Sequence, residues 1–357
     1  MRVLCLVTLP TLGAGNRMRI EQYAPTFREW GIDLVVSRFF GDDTYGILYR
    51  PGHLAAKAWG VVRGIVHRIW DVLRARRYDL VYLFRESAPL GPPIVERALR
   101  FLRVPYVYDI DDAIFLAPVH PANRRWAWIR PSGRVADSAR LATAVIAGNE
   151  YLGDWARGHN SNVTVLPTAV DTDRHVPRSS SRTAGPIVIG WTGSSTTAPY
   201  LQLLDRSLDI LAGRHDIVVR VIGGTYSHAR ARVETLPYDL DREPADVTAF
   251  DIGVLPQPDD RWTRGKGAFK ALVYMATALP VVASRVGVNP LVVIDGETGF
   301  CVGNDEEWVA ALERLICDAE LRQRMGARGR DRVVRLFSLR SQAPRLADVL
   351  RTAARGA

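Results

Sequence analysis

The chain has 357 residues, 47% of them hydrophobic and 24% charged, which is enough for two ordinary globular domains and excludes an intrinsically disordered protein. Basic residues outnumber acidic ones by 47 to 38, but the excess of +9 is spread along the chain, so it does not indicate a nucleic-acid partner. The three cysteines have no CxxC spacing, which argues against a disulfide framework or a zinc site and predicts reduced thiols.

The first half of the chain alternates strand-like and helix-like segments. Its N-terminal apolar run is too short for a signal peptide and is typical of a first β-strand, and no apolar run approaches the ~20 residues of a membrane span. The alternation predicts a parallel sheet covered on both faces. Strands are predicted at 3–8, 33–36, 79–84, 105–110 and 144–147, and helices at 18–30, 54–75, 92–103 and 132–140.

A polar segment rich in Ser, Pro and Arg, residues 171–185, predicts a linker, and a second alternating series follows it. We therefore expect an α/β protein with two doubly wound, Rossmann-like domains, at 1–172 and 173–340, and a last helix within 341–357. The ligand is expected at the carboxyl ends of the strands, in the cleft between the domains. Strands are predicted at 187–190, 217–222, 251–254 and 280–284, and helices at 199–212, 269–277, 305–317, 319–336 and 341–354.

The loop after the first strand contains Gly13 and Gly15, ahead of Arg17 and Arg19. Glycines allow the backbone to approach a ligand closely, and the following helix N-terminus attracts anions. The spacing is not GxGxxG, so no dinucleotide-binding fingerprint is present. A tight turn without a ligand is an equal alternative.

Residues 57–77 combine large apolar side chains with six basic ones. A helix of this composition can lie on a membrane surface. The alternative is packing of its apolar side chains in the core, with a solvated arginine face.

Charged side chains follow two strands of the first series. Asp109, Asp111 and Asp112 come at the end of VPYVY, and Arg85-Glu86 follows LVYLF. Carboxylates at a strand end can act as a base, orient hydroxyls or bind a metal. The alternative is a helix cap with a salt bridge.

The second series opens with the loop Gly190–Thr197, GWTGSSTT, whose hydroxyls and Gly193 suit a phosphate site, or else a Ser/Thr helix cap. Only three of the 47 basic residues are lysines, Lys57, Lys266 and Lys270, and the last two lie near a predicted helix N-terminus. The helix dipole disfavours a cation there by ~0.3–1 kcal/mol, which a diphosphate would offset. An ion pair with Asp259 or Asp260 is the alternative.

The second half is similar to the C-terminal domain of retaining glycosyltransferases of the GT-B type, carbohydrate-active family four, the group 1 glycosyl transferases. The similarity lies in FDIGVLPQPDDRWTRGKGAFKALVYMATALPVVASRVGVNP, in DGETGFCVGNDEEWVAALERL and in LRQRMGARGRDRVVRLFS. In the first half, the glycine loop, YDIDDAIF, AGNEYL and VLPTAVDTD agree with it. No nucleophile elbow, Walker A motif or HExxH motif is present.

The resemblance implies a metal-independent, retaining transfer of a sugar from a UDP- or GDP-linked donor to a glycan, lipid-linked or small-molecule acceptor, with no other cofactor. It implies that the last helix crosses back onto the N-terminal, acceptor-binding domain. We expect Asp111 and Asp112 to be catalytic and Arg17, Arg19, Arg85 and Glu86 to bind the acceptor. We expect donor contacts from Gly15, Trp191, Gly193, Ser194, Lys266, Phe269, Lys270 and Tyr274.

The chain departs from the family at the Glu-x7-Glu motif, whose two positions are Gly265 and Val273 here. Lys266 and Lys270 are then the replacements for the basic pair that the family places near the first loop of the domain. Without the glutamates, a degenerate nucleotide-sugar-binding or partner subunit stays an alternative, and a sugar-nucleotide epimerase is a second. A cytoplasmic protein is expected, with peripheral contact to the inner face of the membrane through residues 57–77.

Overall fold

The computed structural model describes residues 1–11, 13–48, 50–116, 133–178 and 185–356. The chain divides into two units, Met1–Ala169 with Gln342–Ala357, and Val170–Ser341. The predicted boundaries, after residues 172 and 340, lie within three residues of this division. Each unit is an α/β layer structure around one parallel sheet, so the predicted fold class is confirmed.

The described part of the first unit contains a six-stranded sheet in the order β2-β1-β3-β4-β5-β6, with every neighbouring pair parallel. Strands β1, β3, β4 and β5 are almost entirely buried, as a sheet covered on both faces requires. The strands are β1 (Arg2–Val7), β2 (Asp33–Arg38), β3 (Leu80–Phe84), β4 (Tyr106–Ile110), β5 (Ala144–Ala147) and β6 (Val163–Val165).

One predicted helix of this unit, 18–30, is broken in the structure. A 3₁₀ turn at Glu21–Tyr23 separates its two halves, and Pro25 lies in the first turn of the second half. Proline has no N–H to donate, so it begins a new helix more readily than it continues one. The helices are α1 (Ala14–Arg19), α2 (Ala24–Glu29), α3 (Asp42–Leu48), α4 (Leu54–Arg74), α5 (Ile94–Phe101), α6 (Arg134–Leu141) and α7 (Glu150–Arg157).

The described part of the second unit also contains a six-stranded parallel sheet, in the strand order β12-β11-β10-β7-β8-β9. Its strands are β7 (Ile187–Thr192), β8 (Ile217–Ile222), β9 (Arg232–Leu236), β10 (Ile252–Leu255), β11 (Val281–Ser284) and β12 (Gly299–Val302). Its helices are α8 (Asp205–Ala212), α9 (Glu243–Thr248), α10 (Phe269–Ala276), α11 (Asn289–Val292), α12 (Asp305–Cys317) and α13 (Ala319–Leu336). The predicted end of β7 at residue 190 is wrong, since the strand continues to Thr192 and includes Trp191.

Apolar clusters cover the two faces of this second sheet. Ile189 and Trp191 belong to one cluster, while Val188, Phe250 and Tyr274 belong to the other. Alternate residues of β7 thus point to opposite faces, and both faces are buried.

The last helix, α14 (Leu339–Arg355), buries the side chains of Leu346 and Leu350. From Gln342 onward its residues belong to the first unit, and Arg345 donates to the carbonyl of Val165 there. Among the described residues, none of the helices combines the length and the hydropathy that crossing a membrane requires.

Candidate functional site

Two hydrogen bonds donated by backbone N–H groups hold the start of the loop that follows β7. The N–H of Gly193 donates to the carbonyl of Ile222 at 2.9 Å, and the N–H of Thr192 donates to the hydroxyl of Tyr274 at 2.9 Å. Above them the hydroxyls of Ser194 and Thr196 are hydrogen-bonded at 2.7 Å, and both residues are exposed. The loop therefore presents small hydroxyl residues at the carboxyl end of a central strand, where α/β sheets bind ligands.

Lys270, in the first turn of α10, reaches across to this loop. Its Nζ donates to Oγ1 of Thr197 at 3.1 Å and lies 4.6 Å from the ring centroid of Trp191. Burial, and next the charge of Lys266, lower the pKa of Lys270 to about 7. The structure thus places next to the loop an ammonium group for which a bound anion would be a favourable partner.

Gly193 is required by the close contact between Lys270 and Trp191. A Cβ at this position would lie 2.5 Å from the Trp191 ring and 2.8 Å from Cε of Lys270. Since real Cβ atoms do not come so close to other atoms, any other residue would displace the lysine or the indole.

The predicted alternative, an ion pair of the lysines with Asp259 or Asp260, is wrong for Lys270. Asp259 accepts two hydrogen bonds from Arg264, at 2.7 and 3.0 Å, and Asp260 accepts from Thr263. Lys266 lies with its Nζ 5.2 Å from the ring centroid of Trp262.

Two predicted donor contacts, Trp191 and Tyr274, lie in the interior. Trp191 is 1% exposed and Tyr274 is fully buried, so neither ring is available to a ligand. Their contacts show a supporting role instead, Tyr274 holding the backbone of Thr192 and Trp191 lying beneath Lys270. Phe269 is half-buried at the start of α10, where Ala268 adopts a left-handed φ of 53°.

A polar network at the ends of β10 and β11 was not predicted from the sequence. The N–H of Gln257 donates to Oγ of Ser284 at 2.8 Å, and Nδ2 of Asn289 donates to Oε1 of Gln257 at 2.8 Å. All three residues are buried and lie at the same carboxyl edge as the Gly193 loop. The sequence feature that could have indicated this network is the glutamine that closely follows a buried apolar strand, in VLPQPDD.

In the first unit, Arg85 binds both predicted catalytic carboxylates. Its guanidinium donates to Asp111 at 2.5 and 2.9 Å and to Asp112 at 2.6 Å. Burial would raise the pKa of Asp111, but the charge and hydrogen bonds of Arg85 outweigh it and hold that pKa below its ordinary value. Asp111 is therefore a carboxylate at neutral pH, which suits it to orient hydroxyls or to stabilise positive charge.

Arg85 adopts a left-handed φ of 59°, which is unusual for a residue with a side chain. Gly15 lies nearby, since a Cβ there would stand 3.0 Å from the Phe84 ring and 3.8 Å from Cζ of Arg85. A Cβ at Gly148, after β5, would stand 3.1 Å from Cα of Asp111. The structure thus brings Gly15, Arg85, Asp111 and Asp112 together at the carboxyl edge of the first sheet.

Arg19, predicted to bind the acceptor, is instead part of the core. It is 2% exposed, and its guanidinium donates to Asp109 at 2.9 and 2.6 Å and to the carbonyl of Leu166 at 2.9 Å. Asp109 also accepts a hydrogen bond from the Tyr82 hydroxyl. A buried guanidinium that is held by Asp109 and Leu166 is not accessible to an acceptor, so the prediction for Arg19 is wrong.

The two remaining predicted acceptor residues are partly exposed. Arg17 donates from Nη1 to the carbonyl of Thr11 at 3.0 Å, and Oε1 of Glu86 lies 3.8 Å from Nε of Arg134. The role of both residues in acceptor binding stays a prediction.

Residues 186–318 match the family model described as Glycosyl transferases group 1. This match contains seven of the eight predicted donor residues, all except Gly15. Most of the second unit is therefore similar to group 1 glycosyl transferases. The resemblance inferred from the sequence is thereby confirmed, and the glycosyltransferase relatives below agree with it.

Curated relatives of this chain include the D-inositol 3-phosphate glycosyltransferase of Corynebacterium kroppenstedtii, 29% identical over 62% of this chain and 55% of the relative. A GDP-mannose-dependent alpha-(1-6)-phosphatidylinositol monomannoside mannosyltransferase of Mycolicibacterium smegmatis is 28% identical over 61% of this chain and 63% of the relative. The chain thus spans little more than half the length of the curated relatives it matches.

Solved structures show the same fold over the whole chain. Sucrose-phosphate synthase from Thermosynechococcus elongatus superposes with a TM-score of 0.73 at 16% identity, each chain being covered completely. HepE of Anabaena, in complex with UDP and glucose, gives a TM-score of 0.69 at 17% identity over 98% of this chain and 99% of HepE. At such identities the likeness establishes the GT-B fold alone.

Proposed function

We propose that this glycosyltransferase moves a sugar from a nucleotide-diphosphate donor to a hydroxyl of a sugar-containing or lipid-linked acceptor. The observation that carries the proposal is the contact of Lys270 with Trp191 and Thr197, which puts an ammonium beside a glycine-hydroxyl loop in the family-matched region. Lys266, four residues earlier, adds a second positive charge. The two lysines neutralise the diphosphate as it leaves, and Ser194 and Thr196 offer it hydroxyl donors.

On the acceptor side we propose Asp111 and Asp112 as the groups nearest the reaction. Arg85 binds both carboxylates, which orient an acceptor hydroxyl and stabilise the positive charge that develops on the sugar. Transfer is proposed to retain the anomeric configuration and to need no metal, because the lysines supply the positive charge that a metal would supply at the leaving group. The donor is proposed to be UDP- or GDP-linked.

The acceptor is proposed to be attached to a lipid, and the protein is proposed to act at a membrane. A relative is named for transfer to a phosphatidylinositol mannoside, which supports a lipid-linked acceptor here. We propose that the protein acts at the inner face of a membrane, which it contacts peripherally through α4. The exposed thiol of Cys317 is free, as is usual in a reducing, cytoplasmic compartment.

Titration calorimetry with UDP, GDP and their sugar conjugates tests the donor site. Lys266→Ala and Lys270→Ala should each weaken binding about tenfold or more, since each loses a charge-assisted contact of about 1.5–3 kcal/mol. Lys57→Ala is the matched control, because Lys57 lies on α4 and its Nζ donates to the carbonyl of Arg50. Unchanged affinity in both loop variants would refute the donor site.

The alternative function is a nucleotide-sugar-binding or partner subunit without transferase activity. The observation in its favour is the absence of both glutamates, at Gly265 and Val273. Tight donor binding without any transfer or donor hydrolysis, across lipid-linked and soluble acceptors, would favour this alternative. Release of a changed sugar nucleotide would point to the epimerase.

A further inference from the structure

Helix α4 is built with its polar side inward. Its buried residues are Gly60, Gly64, Arg68 and Asp71, which line one side of the helix. The glycines allow close packing, since a Cβ at Gly60 would lie 2.6 Å from Thr44 and one at Gly64 would overlap the Phe39 ring. The side that packs onto the sheet therefore consists of small and charged residues.

Arg68 and Asp71 are satisfied in this interior. Arg68 donates to the carbonyls of Val7 and Ser87 at 2.6 Å each and to Asp71 at 2.8 Å, and Asp71 accepts from Ser37 at 2.6 Å. Complete pairing of a buried arginine and aspartate fixes the rotation of the helix about its axis. The outward face of α4 is thus a determined feature of the fold.

That outward face is apolar. Trp59 is 68% exposed and Trp70 is 63% exposed, and at 100° per residue the large apolar side chains of the face fall within an arc of roughly 160°. Core packing of these side chains, the alternative considered from the sequence, is therefore wrong. The exposed apolar residues of α4 are Leu54, Trp59, Val62, Ile65, Val66, Ile69, Trp70 and Leu73.

The neighbouring helix α5 enlarges the apolar surface. It contacts α4, and its Ile94 is 65% exposed and its Phe101 87% exposed. Exposure of so many large apolar side chains on two adjacent helices is unusual on a protein that works alone in water, and it indicates a surface that something covers.

A basic pocket adjoins one edge of this face. It has a volume of about 500 Å³, and its charged or aromatic lining residues include Arg38 of β2 and Arg63, His67, Trp70, Asp71 and Arg74 of α4. Trp70 belongs both to the pocket and to the apolar face. Residues 54–77 contain six basic and one acidic side chain, and the acidic one, Asp71, is the buried partner of Arg68 and Arg74.

We propose that α4 lies in the surface of an anionic membrane, with its apolar face among the lipid chains and the basic pocket holding the phosphate of a lipid headgroup. In a bilayer, apolar lipid chains lie directly beside phosphate groups. The apolar face of α4 likewise lies directly beside the basic pocket. A second copy of the chain fits less well, because an antiparallel two-fold contact through α4 brings the two basic edges together. This inference rests on the proposed function and specifies the lipid chemistry of its membrane contact.

Sedimentation of the full-length protein with vesicles, without donor, tests the proposal. Binding should be strong to phosphatidylcholine vesicles containing 30% phosphatidylglycerol and weak to phosphatidylcholine alone. The double variant Arg63→Gln/His67→Gln should lower binding about fivefold at neutral pH, with Arg157→Gln, on the opposite edge of the same sheet, as control. Trp59→Ser/Ile69→Ser should lower it at least tenfold, with Leu291→Ser, an exposed residue of the second unit, as control.

Separate results would overturn the inference. Equal binding to both kinds of vesicle, or none, excludes an anionic membrane, and pocket binding of inorganic phosphate without vesicle binding assigns the pocket to a free anion. Loss of self-association in the Trp59→Ser/Ile69→Ser variant, without vesicle binding in the parent, assigns the face to a second copy. Because donor affinity is measured separately by calorimetry, failure of the transferase proposal and failure of this one are distinguishable.

Discussion

At the scale of single residues, the environment decides which basic side chains can act on a ligand. Arg19 and Lys270 are both largely enclosed, but Arg19 has an aspartate partner and Lys270 has a hydroxyl and an aromatic ring. A paired guanidinium belongs to the scaffold, whereas an ammonium without a carboxylate partner gains most from an incoming anion.

The lowered pKa of Lys270 predicts a pH dependence of donor binding. Below pH 7 the side chain is charged and attracts a diphosphate, and above pH 7 it loses its proton, so affinity should fall roughly twentyfold between pH 6.5 and 8.5. Calorimetry with UDP or GDP measures this. Lys270→Arg, which stays charged, should show a flatter profile, and identical profiles would contradict the assignment.

Loss of the Lys270 proton, which lowers donor affinity, should raise the free energy of unfolding. Since the unfolded chain holds the Lys270 proton up to pH ~10.4 and the folded chain releases it near pH 7, the free energy of unfolding should rise with pH across this interval. Denaturation at pH 7 and 9 compares the parent with Lys270→Met. The variant should lack this part of the increase.

Asp111→Asn should lower turnover more than donor affinity. The substitution keeps the size of the side chain but removes the charge that Arg85 holds in place, and a loss of tenfold or more in kcat is expected. Transfer assays and calorimetry on one preparation separate the two effects. Asp154→Asn, on the exposed side of α7, is the control, and equal turnover would remove Asp111 from the site.

At the scale of elements, a buried ion pair connects α1 to the sheet of the first unit. Arg19 of α1 binds Asp109 of β4 and the segment after β6, at Leu166 and Thr168. The helix that bears Gly15 is thereby positioned by the same strand that leads to Asp111. The pair acts as scaffold for the proposed acceptor side without touching a ligand.

Arg19→Ala should therefore destabilise the protein by about 3–5 kcal/mol, since it leaves Asp109 buried without its charge partner. Urea denaturation measures the loss. Arg157→Ala, which removes an exposed arginine with two acidic partners, should cost far less than Arg19→Ala. Partial recovery of stability in Arg19→Met/Asp109→Leu would support the unpaired charge of Asp109 as the cause. A small loss of stability in Arg19→Ala would contradict it.

At the scale of the whole molecule, the two units depend differently on the chain. The second unit is one continuous segment, while the first needs the C-terminal residues from Gln342. Leu346 and Leu350 of α14 are almost fully buried. The stability of the first unit thus depends on residues that are far from it in sequence.

Truncation after Ser341 should selectively destabilise the first unit. Loss of the two buried leucines alone costs about 3–6 kcal/mol, so one of two calorimetric transitions should move to lower temperature or disappear. Nucleotide binding by the second unit should protect the remaining transition. Removal of only the last two residues is the control, and a uniform shift of both transitions would contradict the separation.

The sequence by itself determined the αβ alternation, the division into two alternating series and the similarity of the second series to group 1 glycosyl transferases, because these depend on local periodicity and on a long ordered motif. It also predicted site roles for Lys266, Lys270, Asp111 and Asp112 from their places at strand ends and helix starts, and these roles stay predictions. Only the tertiary structure decided that Arg19 and Tyr274 are interior and that α4 faces outward with its apolar side. Periodicity shows that a helix has two faces, but which face is buried depends on partners distant in sequence, such as Ser37, Val7 and Ser87 around Arg68 and Asp71.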